Sequence, residues 1–285
     1  MTRRRERKAM HKAKKIRWAF FEVIMIVLAI AFIVPAIVVI LNSFKPLGKI
    51  LTDTFGLPSG LYLDNFKYVL ENMNYPKIFL NTVTICVFAI AITVVLSAMC
   101  AYRLARWKNK TAKVILLILM ASMTVPFQSI MLPLTKICES LHLTNSIPGL
   151  ILILIPLYCP MAVFIYQGFM ESIPYEIEEA AQIDGCSRVK TFFSIIFPLL
   201  KPATSSIVVL FALQMWNDFT LPMIMLQSAE KKTITTTVYS FFSAYSMRWD
   251  YALTSLTLSA IPMILFFLFM QKYLINGIVA GAVKG

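Results

Sequence analysis

Charge is scarce in this chain. Only 14% of its 285 residues are Asp, Glu, Lys or Arg, and 59% are hydrophobic; soluble domains carry about 25% charged residues. With a mean hydropathy of +0.74, this composition excludes an ordinary soluble domain and points to a polytopic membrane protein. Histidine is nearly missing. His11 and His142 are the only two, far apart in sequence, so no zinc motif is available. No His lies clearly within an apolar run and no HExxH occurs, which removes the usual parts of an intramembrane hydrolase. The nine glycines never form GxxxxGK[ST], so the chain has no Walker loop with which to hold a nucleotide. The five cysteines (Cys86, Cys100, Cys138, Cys159 and Cys186) contain no CxxC pair, and three lie inside apolar runs. They read as small hydrophobes.

The charge that is present is uneven. The formal net charge is +13, and nine Lys or Arg residues fall in the first seventeen positions, directly before an apolar run. That placement suits a cytoplasmic anchor against acidic lipid headgroups and argues against nucleic acid as a partner. The run from Ala19 to Leu41 is too long for a cleaved signal core and reads as a retained first span.

A bilayer core of about 30 Å needs about 20 apolar residues per helix. Six segments qualify: 18–42, 79–101, 113–134, 148–170, 203–226 and 251–273. The predicted fold class is all-α, with six transmembrane helices. The divisions are a basic N-terminus over 1–17, a six-helix transmembrane domain over 18–273 containing a cytoplasmic segment at 171–202, and a cytoplasmic tail over 274–285. The positive-inside rule sets the orientation. With the 171–202 segment left out, one side holds sixteen basic residues: nine at the N-terminus, five in the linker (Arg103, Arg106, Lys108, Lys110 and Lys113), and Lys272 with Lys284. The other side holds eight. Both termini and the 171–202 segment are therefore expected in the cytoplasm. Pro35, Pro126, Pro156, Pro160, Pro222 and Pro262 interrupt the spans. Each removes a helical hydrogen bond, which suits helices that rock or line a cavity and equally suits ordinary kinking.

The stretch IPYEIEEAAQIDGCSRVKTFFSIIFPLLKPA, from Ile173 to Ala203, gathers acids and bases in the middle of this apolar chain. Ser172 is placed to cap a helix whose first turn holds Pro174 and whose N-terminal acids, Glu176, Glu178 and Glu179, face the positive end of the helix dipole. Helical spacing puts Ile173, Ile177, Ala180, Ala181 and Asp184 on one side, and Glu176, Glu179 and Ile183 on another. Gly185 supplies a left-handed stop. Ser187 then caps a second short helix, with Val189, Phe192, Phe193 and Ile196 on one face, and Pro198 and Pro202 end it and begin the fifth span. Surface-lying amphipathic helices favour Lys and Arg on the polar face. The first helix carries glutamates, so a basic protein groove fits it better than an anionic membrane.

The same stretch resembles a known motif. Glu179-Ala180-Ala181, then Gly185, Ile195 and Phe197-Pro198, has the spacing of the EAA loop of ABC-importer permease subunits, with Phe197 where leucine is usual. The segments NTVTICVFAIAITVVLSAMCAYRLAR, LHLTNSIPGLIL, MWNDFTLP and QKYLINGIVAGAVKG extend the resemblance to the carbohydrate-uptake branch, and within it to maltose-type G subunits. The resemblance implies a subunit of a bacterial plasma-membrane importer that works by alternating access and is itself no enzyme. It implies a second homologous permease, two copies of a cytosolic ATPase, and an extracellular or periplasmic sugar-binding protein. ATP and Mg belong to the ATPase, and this chain binds no cofactor. The residues assigned to ATPase coupling are Glu178, Glu179, Ala180, Ala181, Asp184, Gly185, Ile195 and Pro198. Glu179 is expected to meet a basic residue of the ATPase, and the tail near Lys284 to reach it.

Polar residues inside spans often line a pathway. Gln128, Gln214, Asn217 and Asp218 are candidates, with Trp216 beside the last three and Asn81 near the outer end of the second span. Hydrogen bonds between helices or to a partner permease account for them equally well. Glu22 sits near an inner edge, where it can snorkel. The polar, aromatic outer loop from Gln227 to Asp250 is either a contact for the binding protein or a plain surface loop. A secondary transporter or channel driven by an ion gradient is the alternative. It needs membrane carboxylates, and only Glu22 and Asp218 qualify.

Overall fold

The computed structural model describes the backbone of residues 2–107, 109–242 and 248–282, and the side chains of Lys15 and of 18–272 apart from 108 and 243–247. The side chains of the basic leader other than Lys15, and Lys284 in the tail, lie outside the described residues. Among the described residues every regular element is helical. Four helices are long and apolar enough to cross a bilayer unaided: Trp18–Ser43, Tyr75–Arg106, Ile147–Met170 and Trp249–Lys272. The count reaches six when two bent pairs each make one crossing.

Breaks fall in the third and fifth spans, where Pro126 and Pro222 mark interruptions in the sequence. Residues 113–134 do not form one helix. α5 (Lys110–Ser122) and α6 (Phe127–Ser140) meet at 100°. Pro126 stands in extended backbone just before α6, and proline disfavours helical geometry at the residue before it. The hydroxyls of Ser122 and Thr124 close the last carbonyls of α5, donating to Leu119 and Ala121. The fifth span does not run to 226 either. α11 (Lys201–Asn217) stops where Asp218 turns extended, and α12 (Thr220–Met225) restarts beyond it. Asn217 donates from Nδ2 to the Leu213 carbonyl, and Asp218 Oδ1 accepts from the Leu221 amide. Such local side-chain bonds compete with the helical ladder. Pro35, Pro156, Pro160 and Pro262, by contrast, sit inside continuous helices.

The chain divides into two compact units, residues 1–69 with 241–258, and 70–240 with 259–285. In the first, α1 (Thr2–Ser43) carries the most apolar window of the molecule, mean hydropathy 3.3, with none of it buried. A helix that apolar and that bare requires lipid or another chain around it. Its end is tied by polar groups. Asn42 Nδ2 donates to the carbonyls of Val38 and Thr54, Asn65 Nδ2 donates to those of Ser43 and Lys45, and the buried Lys45 ammonium caps the Asp53 carbonyl after α2 (Leu47–Thr52). Tyr68, on α3 (Asp64–Asn72), stacks on Tyr251 at 3.8 Å, and Thr254 Oγ1 donates to Ser43 O.

The second unit is built on α4 (Tyr75–Arg106) packed along α7 (Ile147–Met170), with α11 against both. Ala89, Ala98, Ala101 and Ala162 are fully buried, and small residues are what let membrane helices approach closely. Tyr166 and Thr204 share a hydroxyl hydrogen bond of 2.8 Å between α7 and α11. Gly149, in the first turn of α7, allows the Leu143 backbone to cross it: a Cβ there would lie 2.1 Å from the Leu143 carbonyl oxygen.

Candidate functional site

The charged stretch folds as a two-armed elbow. α8 (Glu176–Ile183) is the first arm. The second runs through α9 (Arg188–Thr191), a π-helical turn over Phe192–Ile196, and α10 (Phe197–Leu199). Between the arms, Gly185 adopts φ +80°. The Cys186 amide donates to the Ala181 carbonyl at 2.9 Å and the Gly185 amide to Gln182 at 3.0 Å. This is the Schellman pattern, which satisfies the last carbonyls of α8. A Cβ at Gly185 would meet no atom within 4 Å, so its left-handed φ, and not crowding, calls for glycine. Ser187 caps the second arm as expected, accepting from the Lys190 amide.

Three local expectations are corrected. Ser172 does not cap α8; its hydroxyl donates back to the Phe169 carbonyl at the end of α7, and α8 begins after Tyr175. Pro198 does not end the second arm. The chain bends by 71° only after Leu199, with Pro202 in the first turn of α11, where its missing N–H costs no ladder bond. The two alanines do not share a face. Ala180 is exposed and Ala181 buried, because adjacent helical positions differ by about 100°.

That split divides the whole of α8. Glu176, Glu179, Ala180 and Ile183 face outward, with Asp184 also exposed. Ile183 is 86% exposed, and on the second arm Val189 is 67% exposed. A bare isoleucine ringed by carboxylates suits a basic groove with an apolar floor. Glu178 points the other way and is only 2% exposed. Its Oε1 pairs with Arg106 Nε at 2.6 Å, and its Oε2 accepts from the Tyr102 hydroxyl at 2.7 Å. Arg106 Nη2 donates further to the Ile173 carbonyl at 3.0 Å. Tyr102 and Arg106 stand four apart in the last turns of α4, on one face. The Tyr102 ring packs on Phe192 of the second arm at 5.3 Å, so α4 grips both arms. Of the remaining motif residues, Ile195 is half-buried in the π turn and Pro198 is exposed.

The pathway candidates separate. Gln214 and Asp218 line one cavity of ≈ 380 Å3, together with Tyr158, Phe127 and Thr220, beside the α5–α6 bend. Gln128 and Asn217 do not line it; both are exposed, and Asn217 is bonded within its own helix. Asn81 is buried and employed otherwise. Its Nδ2 donates to the carbonyls of Glu230 and Lys232, while Thr82 Oγ1 accepts from the Ile234 amide. Asn145 holds the same loop from a second side, exchanging bonds with Ser228 through both amide atoms. In the expected outer loop 227–250, residues 243–247 lie outside the described residues.

Sequence reasoning missed Arg106, Tyr102 and Asn145. Arg106 was counted only as an inside-facing charge. The signal that marks it is a tyrosine one turn earlier on the same helical face, in reach of a segment with one acid more than its outward face accommodates.

The fold is shared with a solved structure of a bacterial ABC transporter involved in the import of the acidic polysaccharide alginate. The match has a TM-score of 0.79 at 22% identity and covers 92% of this chain and 97% of that one. In sequence, residues 93–279 match the family described as binding-protein-dependent transport system inner membrane component. The chain belongs to that family and is a multi-pass bacterial membrane protein. Similar proteins include the probable starch degradation products transport system permease protein AmyC of Thermoanaerobacterium thermosulfurigenes, 38% identical over 91% of this chain and 94% of that one. The arabinooligosaccharides transport system permease protein AraQ of Bacillus subtilis (strain 168) is 33% identical, covering 90% and 92%. The multiple sugar-binding transport system permease protein MsmG of Streptococcus mutans is 31% identical, covering 96% and 100%.

Proposed function

We propose that the chain is a permease subunit of an ATP-driven importer that carries a sugar or oligosaccharide across the plasma membrane. The substrate class rests on relatives named for starch products, arabinooligosaccharides and multiple sugars, each matched over nearly its whole length. In this reading six crossings leave both termini in the cytoplasm. A second homologous permease completes the pathway and a sugar-binding protein delivers substrate outside, in contact with the loop after α12. Two copies of a cytosolic ATPase supply ATP hydrolysis with Mg. The outward face of α8, with Glu179 and Ile183 at its centre, docks in a groove of one ATPase. ATP-driven closure then moves the elbow and alternates access to the pathway, to which the Gln214–Asp218 cavity contributes polar groups and the Tyr158 ring.

The observation that carries this reading is the outward face itself, a largely exposed isoleucine among exposed acids beside a glycine-locked elbow. Glu179→Lys tests it. The account expects the ATPase to be lost on co-purification from membranes and sugar uptake to stop in cells. An intact complex with normal uptake would overturn it, and a purified complex lacking any ATPase in the unmodified protein would favour an ion-driven carrier.

A further inference from the structure

We propose that the Glu178–Arg106 pair is a latch through which α8 drives α4, making α4 the rod that carries the stroke from the elbow toward the loop held at its other end. This rests on the reading of α8 as the ATPase contact and adds where the force goes next. By chain connectivity alone, α8 would pull on α7 through the short turn at 171–175 and on α11 through the second arm. The geometry supplies a third and stiffer route. Glu178 spends both carboxylate oxygens on α4, one on Arg106 at 2.6 Å and one on Tyr102 at 2.7 Å. Arg106 reaches past it to the Ile173 carbonyl, bracing the turn that leads into α8. The carboxylate is buried and the guanidinium nearly so, 2% and 14% exposed at the side chain. A pair so placed is held by the strong penalty for separating it in a low-dielectric setting. It resists displacement as a screened surface pair cannot.

α4 spans 32 residues without a break, about 48 Å at 1.5 Å per residue. At its far end Asn81 and Thr82 hold the 230–234 backbone. One helix thus has the elbow clamped to one end and a loop clamped to the other. Arg106, Tyr102 and Glu178 are positioning residues in this scheme. They touch neither the ATPase nor the solute, and they decide whether motion of α8 is delivered.

The test uses the full transporter, with its partner permease and ATPase, in proteoliposomes. A cysteine replaces Gln214 in the pathway cavity of a chain whose five native cysteines are replaced. Its labelling by a charged thiol reagent is timed with and without Mg-ATP and vanadate, so no sugar need be identified. In the unmodified elbow the nucleotide changes the labelling rate. With Arg106→Met the ATPase stays bound and the nucleotide-dependent change in rate shrinks by about 2- to 30-fold, the range seen for residues that carry coupling. Glu178→Gln, which keeps volume and an acceptor, shrinks it less and guards against a folding defect in the first variant. A full nucleotide response in both variants overturns the latch. So does loss of the ATPase from Glu178→Gln, whose near-isosteric side chain leaves no unpaired carboxylate, because the pair would then serve docking. If the unmodified elbow shows no nucleotide response, the reading of α8 as the coupling arm fails first.

Discussion

The two ends of α4 are fastened by different chemistry. At the C-terminal end a carboxylate and a guanidinium, both largely buried, join it to α8. At the N-terminal end the neutral amide of Asn81 and the hydroxyl of Thr82 join it to the backbone of the 230–234 loop. A charged pair is costly to separate and geometrically exacting, whereas an amide on two carbonyls is a modest and forgiving tie. The difference follows what each end has to do. The C-terminal end holds an element with an exposed face, while the loop at the N-terminal end is already pinned from two sides, by Asn81 and by Asn145.

The largest expected effect is at the charged end. Arg106→Met alone leaves Glu178 buried and unpaired and should lower stability by about 3–5 kcal/mol, read as the thermal midpoint of the complex in detergent. The double variant Arg106→Met/Glu178→Met should recover most of that loss, since apolar replacement of a whole buried pair is close to neutral. A double variant as unstable as the single would show that packing, and not charge, holds this end. Next is Asn81→Ala, which strips donors from two carbonyls and should cost about 1–3 kcal/mol. Faster amide exchange over residues 227–234 is the readout, and unchanged exchange there would mean Asn145 suffices by itself.

Gly185→Ala comes third. The new methyl has room, so the cost is the left-handed backbone alone, about 1–2 kcal/mol. If the loss is much larger, something other than φ constrains the elbow. Smallest is Ile183→Ala on the exposed face of α8. It should shift stability by no more than about 0.5 kcal/mol, as surface changes do, while weakening retention of the ATPase during purification. Equal retention would remove the apolar half of the docking surface from the account.

Much of this was legible in the sequence, and the residues show why the rest was not. The Gly185 turn and the Ser187 cap are local events decided by one or two residues, and both were read in advance. The α5–α6 bend was half legible. Pro126 marked the place, yet four other prolines of the same list sit in unbroken helices, because neighbouring groups can donate to the carbonyl a proline leaves without its amide. Periodicity sorted α8 into faces but could not say which was inside, and it placed Ala180 with Ala181. The partner that settles the matter, Arg106, lies 72 residues from Glu178. In the pathway set, Gln214 and Asp218 meet at one cavity across the α11 break while Gln128 and Asn217 do not, a distinction fixed by the bends that spacing alone did not foresee.

The central claim is that adjacent positions of α8 face different ways, one outward to dock on the ATPase and one into the protein. Single cysteines at Ala180 and at Ala181, in an otherwise cysteine-free chain, test it in inside-out vesicles. We expect the thiol at 180 to react with a membrane-impermeant maleimide and to be shielded when purified ATPase is added back, and the thiol at 181 to stay unreactive throughout. Equal reactivity at the two positions, or a thiol at 180 that the ATPase does not shield, would contradict the account.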